Sequence, residues 1–237
     1  MKTKDIPFIL LCLAIIIPFL VIAPLQHWFL TWSREHAIIM SFIKFSVLAT
    51  LGEVIGLRIR TGNYNEPNFG ILPRAIVWGF LGITVKMAFD IFSTGTLVFI
   101  ENLGVANKSG SELAGILNGG PLNLTKILLA FAVSTAMNLI YAPMLMTFHK
   151  ITDAHIMGNG GTLAGLFKPI RFGELLKGID WGVMWNFVFK KTIPIFWIPA
   201  HTITFLLPPM WRVLFAALLS VALGIFLAIA SAMSRKK

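Results

Sequence analysis

The chain has 237 residues, of which 57% are hydrophobic and 13% charged, with a formal charge of +10 and a mean hydropathy of +0.81. An ordinary soluble domain carries about 25% charged residues, so this composition excludes one. The basic residues are spread between apolar runs rather than gathered on one face, which excludes nucleic acid as a partner. The single cysteine, Cys12, excludes an intrachain disulfide and a cysteine metal cluster.

Apolar runs near the length that crosses a bilayer as a helix, about 20 residues, recur along the sequence. The first covers residues 6–25, behind the basic leader MKTKD. Cleavage as a signal peptide is disfavoured, because Pro24 directly follows the small-residue stretch VIA. The second and third cover 38–57 and 75–99. The linker 60–73 between them is turn-rich, as is 107–121 before the fourth run at 122–148. In 149–191, GNGGTLAG lacks the Gly-Lys-Ser/Thr ending of a phosphate loop and reads as a flexible connection. FGELLKGIDWGVMWNFVFKK reads as an amphipathic surface helix or as the beginning of a long fifth helix. The fifth run, 192–207, is short and broken by Pro194 and Pro199; the sixth is 213–233. The expected fold is an all-α integral membrane protein of about six transmembrane helices, the fifth proline-bent, forming one membrane domain over residues 1–237.

Loop charges orient this topology. Lys2, Lys4, Arg58, Arg60, Arg74, Lys150, Lys168, Arg171, Lys177 and the tail Arg235, Lys236 and Lys237 fall on one side, against Arg34, Lys108 and Arg212 on the other. The positive-inside rule then places both termini in the cytoplasm, with the chain in a bacterial-type inner membrane.

Polar residues inside the apolar runs are the candidate functional groups. Lys86 and Asp90, four residues apart, share a helical face with Gly79, Gly82, Ser93 and Thr94. Glu53 and Lys44 lie in the second run, Ser134, Asn138 and Tyr141 on one face of the fourth, and His201 and Thr204 in the fifth. One polar face on each of several helices suggests the lining of a path for small solutes. The alternative is a set of structural pairs that fix helix register. Ala216, Ser220, Gly224 and Ala228 recur every four residues in the sixth run, a spacing suited to close helix packing. His149 and His155 fall in a loop by this reading, no enzyme motif is present, and no cofactor is called for.

At FWIPAHTITFLLPPMWRVLFAALLSVALGIFLA the chain resembles the family named for the Mpv-seventeen mitochondrial inner-membrane protein and the twenty-two-kilodalton peroxisomal membrane protein. That family ends on Trp-Pro, Gln, Asn-Phe, Val-Pro and aromatic-Arg, then an apolar helix. Trp197 and Pro199, Phe205, Pro208, and Trp211 with Arg212 stand at those places, with Ile198 intervening and His201 and Thr204 near the Gln and Asn. Gly52–Glu53 looks like the family's Gly-Asp. Gly82, Ile83, Lys86, Ala88 and Phe89 look like its Gly-Pro-x-x-His-x-Trp-Tyr, and Met137–Asn138 before Pro143 looks like its Asp-Gln. Such a likeness covers about 38–233 and leaves 6–25 as an extra N-terminal helix. It implies a pore for small solutes in a lipid bilayer. Lys86, Asp90, Glu53, Asn138, His201 and Thr204 are then the expected lining. The competing expectation is a non-conducting membrane scaffold or assembly factor with a structural polar core.

Overall fold

The computed structural model describes residues 5–234, and in a few helical stretches, among them 226–234, the backbone only. Lys2, Lys4 and the tail Arg235, Lys236 and Lys237, counted above for orientation, lie outside the described residues. All regular structure among the described residues is helical. The chain divides into two compact units, Met1–Met40 and Ser41–Lys237.

In the first unit, α1 (Asp5–Val21) is followed by α2 (Ala23–Glu35). The span expected at 6–25 falls on a bent pair, with an 83° bend between Asp5–Phe19 and Ala23–Glu35. Ile22 is extended, and Pro24 sits in the first turn of α2, where its missing N–H costs nothing. Phe19 and Phe29 pack edge to face across the break, with ring centroids 5.6 Å apart.

The other elements are α3 (Ala37–Thr61), α4 (Ile71–Asn102), α5 (Gly110–Gly119), α6 (Leu124–Gly158), the short turns α7 (Leu163–Leu166), α8 (Phe172–Lys177) and α9 (Trp181–Val183), a π-helical segment Met184–Trp197, α10 (Ile198–Leu206) and α11 (Pro209–Ser234). Three of them, α3, α4 and α6, are long and apolar enough to cross a membrane, or four spans if the bent α1–α2 pair is taken as one. The apolar stretch Pro209–Ile225 of α11 is shorter.

Several local expectations change. The linker 107–121 contains α5, whose Leu113 and Leu117 are fully buried. Ser109 and Glu112 form a reciprocal capping box at its start. The Ser109 backbone N–H, bonded to the Glu112 carboxylate, holds that carboxyl below its ordinary range. His149 and His155 lie within α6, which runs ten residues beyond its expected end. GNGGTLAG is a packed connection. Gly161 (φ 66°) and Gly70 (φ 70°) meet so closely that a Cβ on Gly70 would stand 2.8 Å from the Gly161 carbonyl oxygen.

The fifth segment is not short. Residues 181–206 are helical without interruption, so the second half of FGELLKGIDWGVMWNFVFKK continues directly into the fifth run. Pro194 lies inside the π segment and Pro199 in the first turn of α10. Leu207 and Pro208 then separate α10 from α11.

α10 packs chiefly on α6, and α6 also packs on α4. Their shared core holds Phe89, Leu97, Val133, Met137 and Phe205. The small-residue face of α11 seats against α3, where a Cβ on Gly224 would come within 2.7 Å of the Gly52 carbonyl oxygen. Ala216 and Ala217 are buried on the same helix; the side chain of Ala228 lies outside the described residues.

Candidate functional site

Helical spacing assembles the first polar layer. His149 and Asp153 stand one turn apart on α6, and Arg74 and Trp78 one turn apart on α4. Glu53 of α3 completes the layer. Arg74 Nη1 donates to Glu53 Oε2 at 2.5 Å and to Asp153 Oδ1 at 2.6 Å. Glu53 Oε1 accepts from Trp78 Nε1 at 2.8 Å and lies 2.7 Å from His149 Nε2. Arg74 Nε donates to the Phe69 carbonyl at 2.8 Å, and its guanidinium lies over the Phe69 ring at 4.4 Å. Arg74 is buried, and its two carboxylate partners are largely so.

Glu53, His149 and Asp153 form the one group of described residues with metal-ligand proximity, their ligand atoms within 4.8 Å of one another. Arg74 already lies against both carboxylates and supplies the positive charge a metal ion would bring. The donor set therefore suits a network that joins α3, α4 and α6 better than a metal centre.

The second layer lies deeper along α6. Asn138 Nδ2 donates to the Ser134 carbonyl at 2.8 Å, and Asn138 Oδ1 lies 3.1 Å from His201 Nδ1 of α10. Ser134 Oγ donates to the Ile198 carbonyl at 2.7 Å. The His201 ring stacks on Trp197, with centroids 5.1 Å apart and planes 22° apart, and meets Phe89 edge to face.

A cavity of about 610 Å³ lies between the layers and touches both, through Glu53 and His149 at one level and Asn138 and His201 at the other. Its walls are chiefly apolar, with Phe45, Val85, Phe89, Met137 and Leu145 among them. Val183, Phe187, Val188, Thr192 and Trp197 supply another wall. With Phe187 and Val188 as one step, they recur every four to five residues, the period of a helix whose hydrogen bonds run i→i+5.

The six expected lining residues therefore separate. Glu53, Asn138 and His201 line the chamber. Thr204 is fully buried and its hydroxyl donates to the Ala200 carbonyl at 3.0 Å, so it serves its own helix. Lys86 and Asp90 form an ion pair but do not line the chamber, and the Asp90 side chain is 65% exposed. The stripe drawn through them also divides, because Gly79 and Gly82 face Phe42, Phe45 and the Ser41 carbonyl on α3.

The C-terminal motif residues gather around α10. Trp197 is buried on the chamber wall and Phe205 in the core. Arg212, counted above among the loop charges, is buried and donates to the carbonyls of Leu207 at 3.1 Å and Phe205 at 3.0 Å. It satisfies the last turn of α10, which would otherwise end on free acceptors. Pro208 lies in the α10–α11 junction, and Trp211 is exposed.

Arg74, Trp78, His149 and Asp153 were absent from the expected site. Their signal was the pair of i,i+4 spacings just beyond the apolar runs, where Arg74 reads as a loop charge and His149 as a loop residue. The geometry thus defines an all-helical protein with at least three helices able to cross a membrane and a partly open cavity among its helices. No family model, curated protein or solved structure matches the chain.

Proposed function

We propose that this protein is an integral membrane protein that takes small solutes into the chamber between α3, α4, α6, the π segment, α10 and α11 and passes them through the bilayer. One observation carries the reading. A cavity of about 610 Å³, within the range of small-molecule sites, lies among helices of membrane-crossing length and touches polar groups at two levels. The apolar walls favour uncharged solutes over ions, since an ion needs its hydration shell replaced along its whole route. The inner membrane of a bacterial-type cell, six spans and cytoplasmic termini belong to the same proposal; the spans rest on the apolar runs and the orientation on the loop charges. Kinship with the Mpv-seventeen family belongs to it as well, supported by Trp197, Phe205 and Arg212 meeting around α10.

The test is solute release from proteoliposomes. Wild-type protein should release small neutral solutes faster than empty vesicles, and Ala142→Trp, which fills the chamber wall, should abolish the difference. Equal release by both proteins and by empty vesicles refutes transport. It would leave the scaffold reading, which the cross-helix Arg74 network favours.

A further inference from the structure

We infer that the chamber recognises an uncharged, largely apolar, single-chain molecule through a hydroxyl group that donates to His201. The inference rests on the chamber reading above and names the class of solute.

The tautomer of His201 follows from its neighbours. The Ser134 carbonyl can only accept, so the Asn138 amide nitrogen faces it and the Asn138 oxygen faces His201. An amide oxygen can only accept in turn, so His201 Nδ1 carries the proton. Nε2 is then a bare acceptor. Among the described residues His201 has ring contacts with Phe89 and Trp197 and the bond to Asn138, and no hydrogen bond reaches Nε2. His201 is 8% exposed and lines the chamber.

Nε2 keeps accessible surface in the chamber wall, whereas the indole N–H of Trp197, whose ring stacks on that of His201, is buried without an acceptor and closed off from the chamber. An acceptor left open in an apolar wall favours a solute that donates a hydrogen bond. A hydroxyl does so without charge. An ether has no donor, and an ammonium brings a charge that apolar walls disfavour.

Charge and size narrow the class. At the other layer Glu53 and Asp153 are already engaged by Arg74, with His149 also facing them and Trp78 bonded to Glu53, and the exposed Lys150 stands at the same level. That layer holds no bare carboxylate to attract a cation. A volume of about 610 Å³ is on the scale of small-molecule sites, which suits a single-chain alcohol of medium length.

The experiment uses the full chain in lipid nanodiscs with isotope-labelled histidine, whose ring nitrogens NMR resolves. His201→Phe identifies the resonances. The probes are dodecanol and undecyl methyl ether, which has the same number of heavy atoms and no donor. At neutral pH His201 should show a protonated Nδ1 and a bare Nε2. Dodecanol should shift Nε2, and the ether should bind about tenfold more weakly and leave Nε2 in place. In His201→Phe the two probes should bind alike. If that variant does not fold, the comparison of the two probes on the wild-type protein decides. Equal affinities for alcohol and ether in the wild type, or a proton on Nε2 instead of Nδ1, overturn the inference and leave the chamber reading standing. Failure of both probes to bind removes the chamber reading together with it.

Discussion

Two ion-paired regions sit on α4 and differ in what they join. Lys86 and Asp90 pair with each other along a single helix, on a face where Asp90 is 65% exposed. Arg74, three turns earlier, pairs with Glu53 on α3 and Asp153 on α6 and is 4% exposed. A pair within one helix can form before any tertiary contact exists, and so it says little about how helices meet. A cation shared by two other helices has no partner until all three have come together. The separation of the charges in sequence, rather than their presence, marks the group that organises the structure.

The strongest way to break this comparison is Arg74→Met. It leaves Glu53 and Asp153 close together without their cation, and removing one member of a buried charge network costs about 3–5 kcal/mol. The expected outcome is loss of cooperative thermal unfolding in detergent micelles. Adding Glu53→Gln and Asp153→Asn to the same chain should recover most of the transition. An unchanged melt in the single variant would show that the network is peripheral.

A contact without charge gives an intermediate yardstick. Gly224→Leu forces a side chain into the Gly52–Gly224 crossing, where even a Cβ would sit 2.7 Å from a carbonyl oxygen. The expected destabilisation is on the order of 1–3 kcal/mol, as for overpacking. Differential scanning fluorimetry in detergent reads it, and a wild-type melting temperature would refute the close crossing.

The smallest effect should come from the pair that first drew notice. Replacing the whole pair, by Lys86→Met together with Asp90→Leu, should cost about 1 kcal/mol or less, because no charge is left unpaired on a helix of membrane-crossing length. Solute release from proteoliposomes should not change, because neither side chain lines the chamber. A large change in release would return the pair to the solute path.

The sequence made α3, α4 and α6 legible because apolar runs of that length are visible without knowing their partners. It shortened α4 and α6 because their outermost turns turn polar. Those turns carry Arg74, His149 and Asp153, so most of the charged layer was lost along with the ends. Glu53, Asn138 and His201 were legible because a polar residue inside an apolar run stands out. Lys86 and Asp90 stand out equally, and composition cannot tell a face turned to the chamber from one turned away. α5 was hidden by its glycines, although Ser109 and Glu112 spell its cap. The fate of Arg212 was also unreadable, because a cation beside a tryptophan at a helix start looks the same whether it faces headgroups or the carbonyls of the preceding helix.

The π segment Met184–Trp197 makes the chamber wall a matter of phase. Met184 and Ile193 are both buried, yet nine residues at 3.6 per turn would set them on opposite sides of an α-helix. At roughly 4.4 residues per turn, as i→i+5 bonding gives, they fall two full turns apart on the same side. Removing a single residue from this stretch would let it relax toward the tighter winding and rotate a different set of side chains into the chamber. The set of side chains that the wall presents is therefore open to change by insertion or deletion of one residue, with no substitution at any lining position.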